Sequence, residues 1–227
     1  MIYPVNEVFE TIQGEGTHTG VPAIFVRLQG CPVGCAWCDT KQTWELLPEN
    51  NVTPEQVIAV DGTIGRWANH SAQSLMAAFK DKGFTARLIV ITGGEPCLYD
   101  LTELTSDFHQ AGYQTQIETS GTFEVHCHAD TWVTVSPKIN MKGGYKVLPQ
   151  ALSRANEIKH PIATERHIEE LDELLAGSGL TELELANKVI CLQPISQKAR
   201  ATELAMATCI KRNWRLSIQT HKYLNID

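Results

Sequence analysis

Apolar residues recur along the chain with two alternating periods, and the switch between them repeats. Short runs rich in β-branched and aromatic residues predict strands at Val21 to Leu28, Arg87 to Thr92, Tyr113 to Glu118, Trp132 to Val135, Glu157 to His160, Lys188 to Leu192 and Trp214 to Ile218. Helical spacing lies between them. Ser71 to Lys82 carries Leu75, Met76 and Phe79 before Gly83, and Leu101 to Gln110 carries Leu101, Leu104 and Phe108 before Gly112. Pro149 to Ala155, His167 to Ala176 and Ala199 to Arg212 complete the set, the last with Leu204 and Ile210 expected inward. Strands alternating with helices predict a parallel sheet, whose ligands gather at the carboxyl ends of the strands. Those ends are Gln29 to Cys38, Thr92 to Pro96, Glu118 to Gly121, Ser136 to Lys138, Lys159 and His160, and Gln193 to Ser196, all polar or glycine-bearing. Six such units rather than eight imply an α/β fold of the incomplete kind, an open barrel of about six parallel strands. Helices should be few on one side, because connections such as Ser120 to Thr131 are short for a full crossover.

Two segments break the rhythm. Tyr3, Val5, Val8, Phe9 and Ile12 lead into Gln13-Gly14-Glu15-Gly16, which reads either as a plain hairpin turn or as a turn bringing backbone close to a ligand. Residues 44–70 are polar and punctuated by Pro48, Pro54, Gly62 and Gly65, as expected of an insertion within a single domain spanning 1–227.

Composition narrows the class. Hydrophobic residues make up 43% and charged residues 20%, ordinary for a water-soluble globular chain. No apolar run approaches a membrane span and no leader opens the sequence, so the cytoplasm is the expected location. The net charge of -7 argues against direct binding of nucleic acid. Seven cysteines, an odd number, fit metal ligation in a reducing compartment better than a disulfide framework.

Three of those cysteines supply the chemistry. Cys31, Cys35 and Cys38 stand in a Cys-x3-Cys-x2-Cys loop, and no fourth Cys or His follows at ligand spacing. Three soft ligands suit an iron-sulfur cluster with one open iron. Gly93-Gly94-Glu95-Pro96 follows one helix and one strand later, at the end of a buried strand. The pair resembles the radical S-adenosylmethionine superfamily, whose 4Fe-4S cluster holds the amino and carboxylate groups of that cofactor on its open iron. The partial barrel agrees with it. Arg27, near the end of the first such strand, suits either a ligand carboxylate or an ion pair with one of the chain's own carboxylates.

Further motifs narrow the likeness. Gln13-Gly14-Glu15-Gly16, Cys38-Asp39-Thr40, Gly93 to Pro96, Glu118-Thr119-Ser120-Gly121, Ser136-Pro137-Lys138 and the late Gln219-Thr220-His221-Lys222 together resemble the 7-carboxy-7-deazaguanine synthase (QueE) family over nearly the whole chain. That resemblance implies a radical lyase turning 6-carboxy-5,6,7,8-tetrahydropterin into 7-carboxy-7-deazaguanine and ammonia, on the route to queuosine in tRNA. It implies Cys31, Cys35 and Cys38 as cluster ligands and S-adenosylmethionine beside Trp37, Cys38, Asp39, Gly94, Glu95, Glu118, Ser120, Ser136, Pro137, Lys138 and Gln193. It implies Mg2+ on the hydroxyl of Thr40, and the pterin against Ile12, Gln13, Gly14, Glu15, Arg27, Thr92 and His221. An electron donor such as flavodoxin and a homodimer follow from it too, and the terminal carboxylate of Asp227 is a further candidate substrate contact. A radical activase acting on a protein, an iron-sulfur electron carrier and a binding module retaining the fold share parts of the pattern. His126-Cys127-His128 and Cys97, Cys191 and Cys209 are expected to be structural.

Overall fold

The computed structural model describes residues 1–58, 65–195 and 198–224. Its frame is one sheet built from β1 (Tyr3–Ile12), β2 (Pro22–Leu28), β3 (Ala68–His70), β4 (Leu88–Gly93), β5 (Gln114–Thr119), β6 (Trp132–Val135), β7 (Glu157–Ile162), β8 (Val189–Pro194) and β9 (Arg215–Leu216). The spatial order is β3-β1-β2-β4-β5-β6-β7-β8-β9. Every neighbouring pair from β2 to β9 is parallel, while β1 runs antiparallel to β2 and β3. The edges, β3 and β9, do not meet, so the barrel is open as expected. The helices are α1 (Ala72–Lys82), α2 (Thr102–Gln110), α3 (Pro149–Arg154), α4 (Glu165–Ala176), α5 (Glu182–Ala186), α6 (Ala199–Arg212) and α7 (Thr220–Leu224).

The period of two along each strand sorts its side chains between two environments. Val26 and Leu28 of β2, Ile89 and Ile91 of β4 and Ile117 of β5 pack on Leu75 and Phe79 of α1 and Leu104 and Phe108 of α2. Val133, Val135, Ile158, Ile190 and Leu192 do the same against α3, α4 and α6. Burial of each such side chain contributes roughly 1.5–3 kcal/mol. The intervening positions, Arg27, Thr92, Glu118, Lys159 and Gln193, line a cavity on the other, concave side. Alternation thus puts the glue outside the barrel and the chemistry inside it.

Some features refine the sequence expectation and others depart from it. Within the described part of 44–70, Val57, Ile58 and Ala68 join the core, and β3 ends the segment as an edge strand. In α6 Ile210 faces solvent, and the inward stripe is Ala201, Ala205 and Cys209, small residues that let the helix lie close to β8. The final strand pairs over two residues only, and Thr220–Leu224 then turns into α7. The expectations for Ser196 and Asp227 lie outside the described residues. No helix among the described residues is long and apolar enough to cross a membrane.

Candidate active site

The concave side holds a cavity of about 480 Å³, reached by the carboxyl ends of β2 and of β4 to β8, the β1–β2 loop and the segment after β9. It gathers every residue expected at the site except Pro137 and the undescribed Asp227. Pro137 is buried and absent from the lining, although Ser136 and Lys138 reach it. Neighbours in an extended segment point to opposite sides, which separates the three.

One wall is the cysteine loop. Gly30 N donates to Thr43 O at 2.7 Å and Cys31 N to Trp44 O at 3.0 Å, folding the loop back over the short helical turn that follows it. Cys31, Cys35 and Cys38 are free thiols and all line the cavity. Burial pushes the Cys31 thiol up to about 11 and raises that of Cys35, so positive charge from a metal is what would favour their thiolates here. Among the described residues no three Cys, His, Asp or Glu side chains are drawn together around a single ion. A cluster makes a different demand, since each thiolate takes its own iron across a wider span, and the donor set fits it. Trp44, which the sequence reading did not single out, donates Nε1–H to Cys38 Sγ at 3.4 Å. Thr40 Oγ1 sits 3.6 Å from the same sulfur, Asp39 lies beside it, and Trp37 stands 54% exposed at the rim.

The glycine pair after β4 is sewn to this wall. Gly94 N donates to Leu28 O at 3.0 Å and Glu95 N to Gly30 O at 2.8 Å. Gly93 has φ of 129°, and a Cβ there would also run into the backbone of Leu28, so only glycine fits. Glu95 is buried and fully engaged. One carboxylate oxygen accepts from Cys97 N at 2.9 Å and Thr119 Oγ1 at 2.6 Å, the other from the Ser120 hydroxyl and from Ser120 N at 2.8 Å. Glu95 thereby ties the end of β4 to the end of β5. Ser136 N follows on, donating to Thr119 O at 2.8 Å, and Lys138 Nζ donates to Ser136 Oγ at 2.8 Å.

The β1–β2 loop, at the amino end of β2, forms the floor. It is a hairpin connection, and Gln13, Gly14 and Glu15 line the cavity. Glu15 Oε2 accepts from Lys159 Nζ at 2.7 Å, and Glu118 Oε2 accepts from the same ammonium at 2.9 Å. Gln219 Nε2 donates to Glu15 Oε1 at 2.8 Å and Gln116 Nε2 to Glu118 Oε1 at 2.9 Å. Burial opposes ionisation of Glu15, but the Lys159 charge and these hydrogen bonds outweigh it and hold the carboxyl near 2. Burial dominates at Glu118, which shares its cation with Glu15 and rises to about 7. Lys159, despite burial, is held protonated by the two carboxylates. Sequence reasoning recorded Lys159 only as a polar strand end, and its partners lie 144 and 41 residues away.

Arg27 forms the ion pair that one of its sequence readings allowed. Its Nε donates to Glu7 Oε1 at 2.5 Å in a largely buried ion pair, and the guanidinium also lines the cavity. Thr92 neighbours it across the β2–β4 ladder. Gln193 Oε1 accepts from Ser217 Oγ at 3.0 Å, and burial lowers the proton affinity of His221, which packs against Gly14. Away from the cavity, Cys97, Cys191 and Cys209 are buried, and His128 stacks on His109 with centroids 4.3 Å apart.

No protein-family model matches the chain. The 7-carboxy-7-deazaguanine synthase of Escherichia coli K12 is 60% identical over 226 residues, covering 100% of both chains. That of Buchnera aphidicola subsp. Schizaphis graminum is 46% identical over 229 residues, again covering 100% of both. The crystal structure of QueE from Escherichia coli superposes with a TM-score of 0.93 at 59% identity, over 96% of this chain and 94% of that one. Full-length identity at this level, together with the same open barrel, shows that the chain belongs to the 7-carboxy-7-deazaguanine synthase family.

Proposed function

We propose that the chain is a radical S-adenosylmethionine lyase converting 6-carboxy-5,6,7,8-tetrahydropterin to 7-carboxy-7-deazaguanine and ammonia, a step toward queuosine. The observation that carries this reading is the convergence on one cavity of the three-cysteine wall, the Gly94-Glu95 turn and a charged floor suited to a pterin. When bound, a 4Fe-4S cluster on Cys31, Cys35 and Cys38 supplies one electron to S-adenosylmethionine, and that cofactor in turn supplies hydrogen abstraction.

The protein's own part is to bind, orient and exclude water. The turn at Gly94 presents backbone oxygen to an ammonium group, and Ser136, Lys138 and Ser120 offer donors to a carboxylate and ribose. Glu95 acts by fixing Ser120. Pro137 stiffens this stretch rather than contacting the cofactor. Thr40, with Asp39 behind it, offers an oxygen to Mg2+, which substrate oxygens and water would complete. Ile12, Gln13, Gly14 and Glu15 meet the pterin from the floor, Arg27 addresses its carboxylate, and Thr92 and His221 close the sides. The rim around Trp37 is where an electron donor such as flavodoxin would approach the cluster, and the enzyme works as a homodimer in the cytoplasm.

The test is anaerobic reconstitution with iron and sulfide, then incubation with dithionite, S-adenosylmethionine, Mg2+ and 6-carboxytetrahydropterin, with products read by mass. Appearance of 7-carboxy-7-deazaguanine is expected. Formation of 5′-deoxyadenosine without it would keep the radical chemistry and discard the substrate.

A further inference from the structure

Lys159 is a cation buried in the wall of the cavity, 4% exposed in its side chain, on the concave side of β7. Two of its three ammonium protons go to Glu15 Oε2 and Glu118 Oε2. The third has no acceptor among the described residues. A buried donor left without a partner loses free energy unless a ligand supplies an acceptor. The neighbouring Glu15 carboxylate has the complementary property: it accepts hydrogen bonds but can donate none. A carboxylate beside an ammonium therefore displays two acceptors and one donor in a row. An amino-pyrimidinone edge, with its exocyclic amino group, ring N–H and carbonyl, displays two donors and one acceptor. Substrate and product of the proposed reaction both carry that edge, and the reaction leaves it unchanged.

We infer that Lys159 is a specificity-determining and positioning residue for this edge: it pins the Glu15 carboxylate against the amino group and ring N–H and offers its third proton to the carbonyl. The inference rests on the proposed reaction. Glu118 anchors the ammonium from the far side and is itself held by Gln116. The floor loop keeps Glu15 in place through Glu15 N, which donates to Gln13 Oε1 at 3.1 Å, and through Gln219. Lys159 thus links a loop near the start of the chain to the middle of the barrel, and substrate recognition would depend on that link. A site built on buried polar groups discriminates strongly against analogues lacking their partners, because the site's own groups are then left unpaired.

The experiment measures equilibrium binding of 7-carboxy-7-deazaguanine, and of its analogue lacking the 2-amino group, to the reconstituted enzyme. Wild type should prefer the 2-amino compound by about 100-fold or more. Lys159→Met should narrow that preference to less than about 10-fold while iron content and S-adenosylmethionine binding are retained, and Lys159→Arg should keep most of it. A lysine serving stability alone would leave the ratio untouched. An unchanged ratio in Lys159→Met, or a wild type indifferent to the 2-amino group, overturns the assignment. Should Lys159→Met not take up iron, Lys159→Gln is measured instead, since its amide can serve both carboxylates but spares no donor for the ligand, and the same two outcomes decide. Binding of neither compound to wild type would overturn the proposed reaction itself, a failure distinct from loss of discrimination.

Discussion

Gly94 lies so close to Gly30 that a Cβ on it would collide with the Gly30 carbonyl and stand 3.0 Å from Cys31 Cβ. The glycine turn after β4 and the start of the cysteine loop therefore behave as one object. Gly94→Ala must push Gly30 and Cys31 outward, an overpacking worth about 1–3 kcal/mol. Iron bound per protein after reconstitution should fall by about half or more while the far-ultraviolet circular dichroism is kept. Full iron content would show that the turn, not the cluster wall, gives way.

The Arg27–Glu7 pair separates a structural task from a binding one. Arg27→Ala leaves the buried Glu7 carboxylate without its cation and should cost about 3–5 kcal/mol in a urea titration. Arg27→Met combined with Glu7→Leu removes both charges and should recover most of that loss. If Arg27 also grips the substrate carboxylate, the double variant will fold and still show a KM raised about tenfold or more. A normal KM would leave Arg27 with the ion pair alone.

A methyl group on Gly14 would fall 2.5 Å from His221 Nδ1. Gly14→Ala should thus displace His221 and the start of α7, whose Thr220 N donates to Gly14 O at 2.9 Å. Because this contact involves none of the three cysteines, iron content should stay normal while KM for the pterin rises. Proteolysis within Thr220–Leu224 should quicken. A variant with unaltered KM would remove the His221 contact from the substrate side of the cavity.

Glu118 should give the apoprotein a measurable pH dependence. Its carboxyl is raised from 4.5 to about 7, so the folded chain holds this proton more tightly than the unfolded chain does. The resulting stability is complete below pH 4.5 and is lost as pH rises through 7. Glu15, lowered to about 2, acts in the opposite sense and only at acid pH, below 4.5. Histidines such as His160, lowered to about 4, titrate in an overlapping window, so the quantity to measure is the difference between wild type and Glu118→Gln. Wild type should gain roughly 1–3 kcal/mol relative to the variant on going from about pH 8 to about pH 5. A pH-independent difference would mean that Glu118 stays ionised.

The strand and helix periods were legible because each element has one apolar face, and α1 shows why. Leu75 and Phe79 mark its buried side, Ser71 Oγ accepts from Ser74 N at its start, and Gly83 ends it. The cysteine loop and the glycine turn were legible as motifs. Lys159 was not, since a lysine in a short strand reads as a solvated charge until Glu15 and Glu118 arrive from elsewhere in the chain. Ile210 misled for a related reason: helical spacing gives a stripe but does not say which stripe faces the sheet, and the alanines of α6 outcompeted it by allowing close approach. Trp44 escaped notice because its partner, Cys38, was already read as a ligand of something else.

The floor of the cavity is closed by residues more than 200 positions apart, as in the bond from Thr220 Oγ1 to Gly14 O, with a separation of 206. Gly16 N likewise donates to Ser217 Oγ across 201 positions. During synthesis the cysteine wall and the Gly94 turn can therefore form while the later strands are still being made, whereas the pterin end waits for Ser217 to His221 to emerge. Capacity to hold iron should precede capacity to hold substrate in the life of each molecule, and an interrupted chain would be a cluster carrier with nothing to act on.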